Sequence, residues 1–479
     1  MYIPAFACRE TCLDAPRSTG IITNQKPLIS LAVKPRIKLL EARLFWVLPL
    51  GFGAHPSLHA ANLTDANWTA LGSGTAGITP EVIALAVSGS NLYMGGLFTS
   101  VDSKPVNYIA RWDGSSWSSL GSGMNSDVYA LAVSGTNLYV GGGFTRAGGL
   151  VAYYIAKWDG NSWSALGSGM IGVVHALAIS GSNLYAGGDF TTAGGSTANY
   201  VAKWDGGSWS ALGLGLDNYV YALAVSDGNV YAGGQFTKAG GSPANHIAKW
   251  DGSNWAALDS GVGGIGGLGL PYVFALAASG ANIYVGGGFT TAGGTSANCI
   301  ARWDGSGWTG LGSGMGTNCL VNALAIDGPN VYAAGYFTNV GGIAANSIAK
   351  WDGTNWSVLG SGILKASYPP YTRGNAVAVS GNRLYAGGYF STAGSAAATN
   401  IARAYLTPLP TLSLVRSGLN MIVSWPSTNT SDFTLEQADT LNPPPSWVSS
   451  TATVGDDGTT KSATFHATNG AHFFHLRGP

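Results

Sequence analysis

The chain has 479 residues, room for two or three domains, and its 23 Lys and Arg balance its 23 Asp and Glu. Only 10 % of residues are charged, against about 25 % in an average soluble chain, while glycine alone numbers 72. Zero net charge excludes recognition driven by a basic field, so nucleic acid is not expected as a partner, and a surface of Ser, Thr, Asn and Gly suits an exported protein.

In chain order, the first 60 residues differ from the rest. Lys34, Arg36, Lys38 and Arg43 precede the apolar run LFWVLPLGFGA, and SLHA follows, ending at Ala60. A basic stretch, about 11 apolar residues and a small residue read as a secretory signal peptide. Residues 1–60 are therefore expected to be an N-terminal extension and signal, and the protein to be secreted or held at the cell surface. The run is too short to span a bilayer, and no transmembrane segment is expected. Cys8 and Cys12 fall in the leader. Cys299 and Cys319 remain, 20 residues apart, and are expected to pair in an exported chain. Neither CxxC nor Cys/His metal spacing occurs, and no metal or cofactor is implied.

From residue 61 to 406 the chain repeats itself. Trp-Asp-Gly recurs at Trp112, Trp158, Trp204, Trp250, Trp303 and Trp351, spaced 46 to 53 residues apart. A period in the forties marks an array of small identical units. One unit, residues 128–169, holds four β-prone runs, VYALAV, NLYVGGGFT, YYIAKWD and SWSALG, separated by turn residues. Asp-Gly after each Trp is a hairpin signal, since type I′ turns need positive φ at both central residues. The repeated Asp then makes a bend; calcium ligation is its alternative reading. Four-stranded antiparallel units repeated about an axis make a β-propeller. The small residues of ALAV and Gly-Gly suit the narrow centre, the two tryptophans the wide rim.

The count is seven. The second-strand motif occurs at Tyr93, Tyr139, Tyr185, Tyr231, Tyr284, Tyr332 and Tyr385. An extra NWTALGSG precedes the first unit, with Trp68 matching Trp117, and the last unit stops after IARAYL without a fourth strand. The two ends complement each other. The N-terminal strand, 66–73, is expected to close the seventh blade beside 374–406, which removes exposed sheet edges. A linear β-solenoid is the alternative arrangement. The fold expected is all-β: a seven-bladed β-propeller over 61–406, then a small β-sandwich over 411–479.

The pattern W-x-x-L-G, ALAV, LY-x-GG-x-F and IA-K/R-WDG resembles the repeats of kelch and galactose-oxidase-type propellers. It is most similar to the propeller of fungal cortical cell-polarity markers and related bacterial secreted proteins. The resemblance spans 66–406 and implies fold rather than activity, since propellers host many functions. The copper site of the galactose oxidase group would need Tyr, Cys and His together. This propeller has only His175 and His246, so that chemistry is not carried over.

After the linker LTPLP come TLSLVRSGLNMIVSWPS, DFTLEQA, SWVSST, KSATFHAT and HFFHLRG, read as six short strands. IVSW, FTLEQ and FFHLR resemble the second, third and sixth strands of fibronectin type III sandwiches, with the usual last strand missing. Trp425 and Phe433 are expected in its core.

What the units share builds a blade; what varies at one end is where function is sought. The residue opening strand one differs every time: Ile83, Tyr129, His175, Tyr221, Phe274, Asn322, Asn375. Fourteen residues on lies a second variable set, Leu97, Gly143, Asp189, Gln235, Gly288, Tyr336 and Tyr389, and strand three opens on a third, Tyr108, Tyr154, Tyr200, His246, Cys299, Ser347 and Asn400. Strand direction brings all three to one face, together with the long connections 260–272 and 361–374. Aromatic rings offer area to sugar faces, and Asn, Gln and Asp meet hydroxyls. The candidate ligand-binding residues are Tyr129, His175, Asp189, Tyr221, Gln235, Phe274, Asn322, Tyr336, Asn375 and Tyr389, for a glycan or a protein surface. Simple drift at these positions is the alternative, and would leave a purely structural surface protein. A carbohydrate-active hydrolase would draw on Glu81, Asp127, Asp189 and Asp217 at the same face, and His175 with Asp189 resembles a base and its orienting carboxylate. Neither P-loop, dinucleotide fingerprint nor Ser-His-Asp order appears, and no catalytic residue is assigned.

Overall fold

A computed structural model describes residues 63–479 except 266–268, 270, 366–371, 408–409, 411, 428–432, 439–446, 467–472 and 478–479. The expected signal peptide, with Cys8 and Cys12, lies outside the described residues, as do parts of the two long connections. The described chain is all-β, interrupted by one 3-10 turn at Asp65–Asn67. No helix among the described residues is long and apolar enough to cross a membrane.

The repeats form propeller-like, four-stranded antiparallel sheets. In one, Val128–Ser134, Asn137–Gly142, Ile155–Trp158 and Trp163–Ala165 lie side by side in that order. The order recurs in the sheets that open at Val82, Val174, Val220, Val273 and Leu320. A further sheet takes Arg373–Ser380, Arg383–Tyr389 and Ile401–Tyr405 from the end of the repeats and Trp68–Ala70 from their start. There Trp68 pairs with Ala404 and Ala70 with Ala402. First strands neighbour one another from sheet to sheet, 82–88 beside 128–134 and onward, and 373–380 returns to lie beside 82–88.

Residue size explains this convergence. An added Cβ at Gly141 would stand 2.5 Å from Cγ1 of Val174, on the next sheet's first strand, and Gly187 and Val220 repeat the relation. One sheet departs from the rule and compensates: Ala334 replaces the glycine, and the facing valine becomes Gly374, where a Cβ would meet the Ala334 methyl at 2.8 Å. At the outer edge each fourth-strand indole donates to a leucine carbonyl of the preceding sheet. Trp163 bonds Leu120 at 2.8 Å, Trp209 bonds Leu166 at 2.9 Å, and Trp68 bonds Leu359 at 2.9 Å.

The Trp-Asp-Gly turn differs from the expected type I′ form. Trp158 pairs with Trp163 across a four-residue loop in which Gly160 has φ 108° while Asp159 stays out of the left-handed region. Asp159 works through its side chain instead: Oδ1 accepts the N–H groups of Asn161 and Ser162, both at 2.8 Å. Short polar side chains cap turns in this way. The same capping recurs at Asp113, Asp205, Asp251, Asp304 and Asp352.

The tail forms two sheets. One orders 413–417, 420–426, 460–466 and 454–456; the other orders 448–449, 434–438 and 473–477. Val454–Asp456 is thus a strand beyond the six expected. Val423, Trp425, Leu435 and Ala463 are the tail's core. Phe433 stands at the margin of that core: it lines a cavity with Trp425 and Leu435, and its ring lies 5.9 Å from that of Tyr405.

Candidate functional site

Strand one begins at Val128, as the run VYALAV predicts, so Tyr129 does not open it but sits one residue inside, at a β-bulge. Val128 faces Gly142 and Ala130 faces Gly141, which leaves Tyr129 as the extra residue. Ile83, His175, Tyr221, Phe274, Asn322 and Asn375 occupy the same bulge in their sheets. A bulge frees a side chain from the ladder and re-aims it, and all seven are only partly buried.

The second variable set is held by main chain. The N–H of Asp189 donates to Val173 at 3.0 Å, that of Gln235 to Tyr219 at 2.9 Å and that of Gly288 to Tyr272 at 3.0 Å. Each acceptor stands two residues before a bulge residue. The third set adopts left-handed backbone at every position, φ 60° to 68°, although none is glycine. For bulky residues this costs about 1–2 kcal/mol each. Main-chain bonds over-determine it: Tyr200 donates to Phe190 at 2.8 Å and accepts from Gly188 at 3.0 Å. The main-chain bonds are made whichever side chain stands there, and Asn400 adds its own by accepting the Phe390 N–H at 3.1 Å. Within this set, Cys299 is joined to Cys319 by a disulfide with Cα atoms 6.2 Å apart, which ties one sheet to the approach of the next.

Together the side chains form two unlike arcs. Along one, Tyr129 and His175 have ring centroids 5.4 Å apart, His175 and Tyr221 5.6 Å, and Tyr221 stacks on Phe274 at 5.2 Å. Tyr219 and Tyr272 join this arc, 6.4 Å from Tyr221 on either side, and bring in Tyr200 and His246. Gln235 is its amide: Oε1 accepts the Tyr221 hydroxyl at 3.1 Å and Nε2 donates to the Tyr272 hydroxyl at 2.7 Å. Burial pushes the Tyr221 phenol well above its usual range, with Tyr272, Tyr219 and Asp189 adding to it.

The other arc is polar. Arg373 holds Glu81 through two bonds, Nε to Oε1 at 2.6 Å and the second guanidinium nitrogen to Oε2 at 2.8 Å. Asn375 also donates to Glu81, and Asn322 donates to Asn375 Oδ1 at 3.3 Å. Tyr389 lies under the Lys365 ammonium, 3.1 Å from the ring centroid. Tyr336 is partly exposed on this side, beside no ring of the first arc among the described contacts.

Of the hydrolase carboxylates, then, Glu81 is neutralised by Arg373. Asp127 accepts the Tyr129 hydroxyl at 3.2 Å, and burial raises its pKa. Burial also acts to raise Asp217, but bonds from the Lys238 and Thr237 main chain and the Thr237 hydroxyl outweigh it and leave its pKa lowered. His175 is held below its ordinary value by burial, against the pull of Asp189, and no hydrogen bond joins the two among the described residues. The base and orienting carboxylate are near each other but unconnected. Among the described residues no group of three or more His, Cys, Asp or Glu could hold a metal ion.

Tyr219, Tyr272 and Arg373 were not among the candidates. They share one repeat position, two residues before the bulge, which reads Glu81, Asp127, Val173, Tyr219, Tyr272, Leu320 and Arg373. Comparing the repeats two residues earlier would have exposed that set.

A family model, the Rax2 C-terminal beta propeller domain, matches residues 118–265. No curated protein matches the chain. Among solved structures it is similar to the computationally designed Ika8 protein, at 16 % identity and TM-score 0.41, over 82 % of this chain and 98 % of that one. It is also similar to the WD40 beta propeller domain of Doa1, at 14 % identity and TM-score 0.45, over 69 % and 94 %. A third is the beta-propeller domain of the Trilobed protease from Pyrococcus furiosus, at 11 % identity and TM-score 0.41, over 68 % and 97 %. The matched family model and the four-stranded sheets make this a β-propeller protein.

Proposed function

We propose that this chain is an exported, non-enzymatic binding protein whose propeller face recognises glycan. In this reading the repeats form a closed seven-bladed ring of the kelch and galactose-oxidase type. The tail is a fibronectin type III-like sandwich without its last strand, and the face presents side chains rather than catalysing a reaction. The strand order of the tail supports its part, since four strands on one sheet and three on the other follow the immunoglobulin-like arrangement. The leader composition supports export, and the disulfide between Cys299 and Cys319 suits an oxidising compartment.

One observation carries the binding reading: a continuous array of partly buried aromatic rings from Tyr129 to Phe274, with the amide of Gln235 threaded through it. Sugars present apolar faces to such rings and hydroxyls to such amides. Hydrolysis has less support, because Glu81 is consumed by Arg373 and Asp127 and Asp217 already serve local hydrogen bonds. A glycan array probed with the purified protein tests the reading. Binding to neutral oligosaccharides that Tyr221→Ala with Tyr336→Ala weakens is expected; absence of any glycan binding overturns it. A protein ligand that binds the same face would move the reading to its alternative, a protein-recognition surface.

A further inference from the structure

Asp189 is the one charged residue among the seven positions fourteen after the bulge. The three other carboxylates of the face have partners, Arg373 for Glu81, the Tyr129 hydroxyl for Asp127, and Thr237 with Lys238 for Asp217. The Asp189 side chain has none among the described residues, and its Oδ1 is closed off from solvent. The residue as a whole remains partly exposed. It follows Gly188, which pairs with Val174 beside His175 and donates its N–H to Tyr200. Asp189 therefore stands among His175, Tyr200 and Tyr221, and its charge bears on all three.

That arrangement is unsatisfied in a particular way. A carboxylate without a hydrogen-bond partner in a partly desolvated site is costly. The faces of neighbouring rings carry partial negative charge and attract cations, not anions. Among the described residues no cation pairs with it: burial holds His175 below its ordinary value, while Arg373 and Lys365 are engaged with Glu81 and Tyr389 on the opposite arc. An ammonium group satisfies the carboxylate and the ring faces at once. A hydroxyl satisfies the carboxylate alone.

We propose that Asp189 with His175, Tyr200 and Tyr221 forms a subsite for a protonated amine carried by the glycan, so that this face selects sugars with free amino groups over their N-acetylated counterparts. The proposal rests on the glycan reading above and names its ligand. A sugar fits better than a lone lysine side chain because the rings continue from Tyr129 to Phe274, farther than one side chain covers.

The test is calorimetric titration of the full chain with a glucosamine tetramer and with its fully N-acetylated form. The free amine should bind about tenfold more tightly, the scale of an ammonium over partly desolvated rings, and the difference should shrink as salt screens the charge. Asp189→Asn, which keeps the side chain's shape, should remove that preference, bringing the two tetramers to equal affinity, without lowering the melting temperature, since it relieves an unpartnered carboxylate. Equal binding of both tetramers, or a preference that survives in Asp189→Asn, overturns the subsite and leaves the glycan reading standing. Failure of every glycan overturns both. An Asp189-dependent response to a lysine-rich peptide with none to either tetramer overturns the amino sugar as occupant.

Discussion

The indole Nε1 of Trp68 donates to the carbonyl of Leu359 at 2.9 Å, across 291 positions of sequence. The bond is the same one that Trp117 makes to Leu71 and Trp356 to Leu311, but here it ties the start of the repeats to their end. In the proposed seven-bladed ring, Trp68 is the residue that closes it. Trp68→Phe keeps an aromatic ring but removes the indole N–H, leaving the Leu359 carbonyl with the Gly362 N–H alone, a loss of about 0.5–1.5 kcal/mol for the hydrogen bond. Hydrogen exchange should show faster opening of Ile401–Tyr405 and Arg383–Tyr389, and little change in the sheet of Val174–Ser180. Uniform protection would show that the ends close in another way.

The exchange of glycine and alanine between neighbouring sheets makes a second prediction. Gly374→Val alone should overpack against Ala334 and destabilise by about 1–3 kcal/mol. Adding Ala334→Gly restores the pairing seen at Gly141 and Val174 and should recover most of that loss. Chemical denaturation of the two single variants and the double variant measures the coupling; strict additivity would contradict this account.

A third concerns the disulfide. Closing a loop of this length removes about 3 kcal/mol of unfolded-state entropy in the simplest model. Reduction should lower the melting temperature, and peptide mapping of exported protein should recover Cys299 and Cys319 linked. Two free thiols in that material would refute the bond.

Acid stability follows from the turns. Backbone N–H donors lower the pKa of Asp159, Asp205, Asp251 and Asp352, and bring Asp304 to about 2. Carboxylates with depressed folded pKa contribute stability that is present above the unfolded value of about 3.9 and lost as pH falls below it. Burial also depresses His175 and His246, whose contribution is lost earlier, as pH falls below about 6.5. Melting temperature should therefore fall in two stages on acidification. Exchanging the turn aspartates for asparagine, whose amide oxygen accepts the same N–H groups, should shrink the lower stage, leaving the part that Asp217, Asp456 and Asp457 contribute, and spare the upper. An unchanged lower stage would contradict the assignment.

Much of the fold was legible because the repeat states it many times. Trp68 matches Trp117 in its surroundings and the last unit lacks a fourth strand, and together these point to the sheet that Trp68 joins. What was hidden depends on partners. Tyr129 reads as the first residue of a strand, and only pairing with Gly141 and Gly142 shows that it is a bulge. The Asp159 turn looked like a backbone matter and is a side-chain cap. Tyr219 and Tyr272 precede the first strands of their sheets, so comparing strand-opening residues shows a smaller ring array than the structure holds. Phe433, apolar beside a strand, reads as tail core, and nothing local reveals that Tyr405 receives it.

The central claim is that the variable face binds glycan through its rings. Titration of the full chain with the best array ligand, repeated on Tyr221→Ala with Tyr336→Ala, tests it most directly. The account predicts that affinity falls at least about tenfold, as truncating aromatic anchors does at binding sites, while the sheets stay folded by circular dichroism. Undiminished affinity in the doubly substituted, folded protein would contradict it.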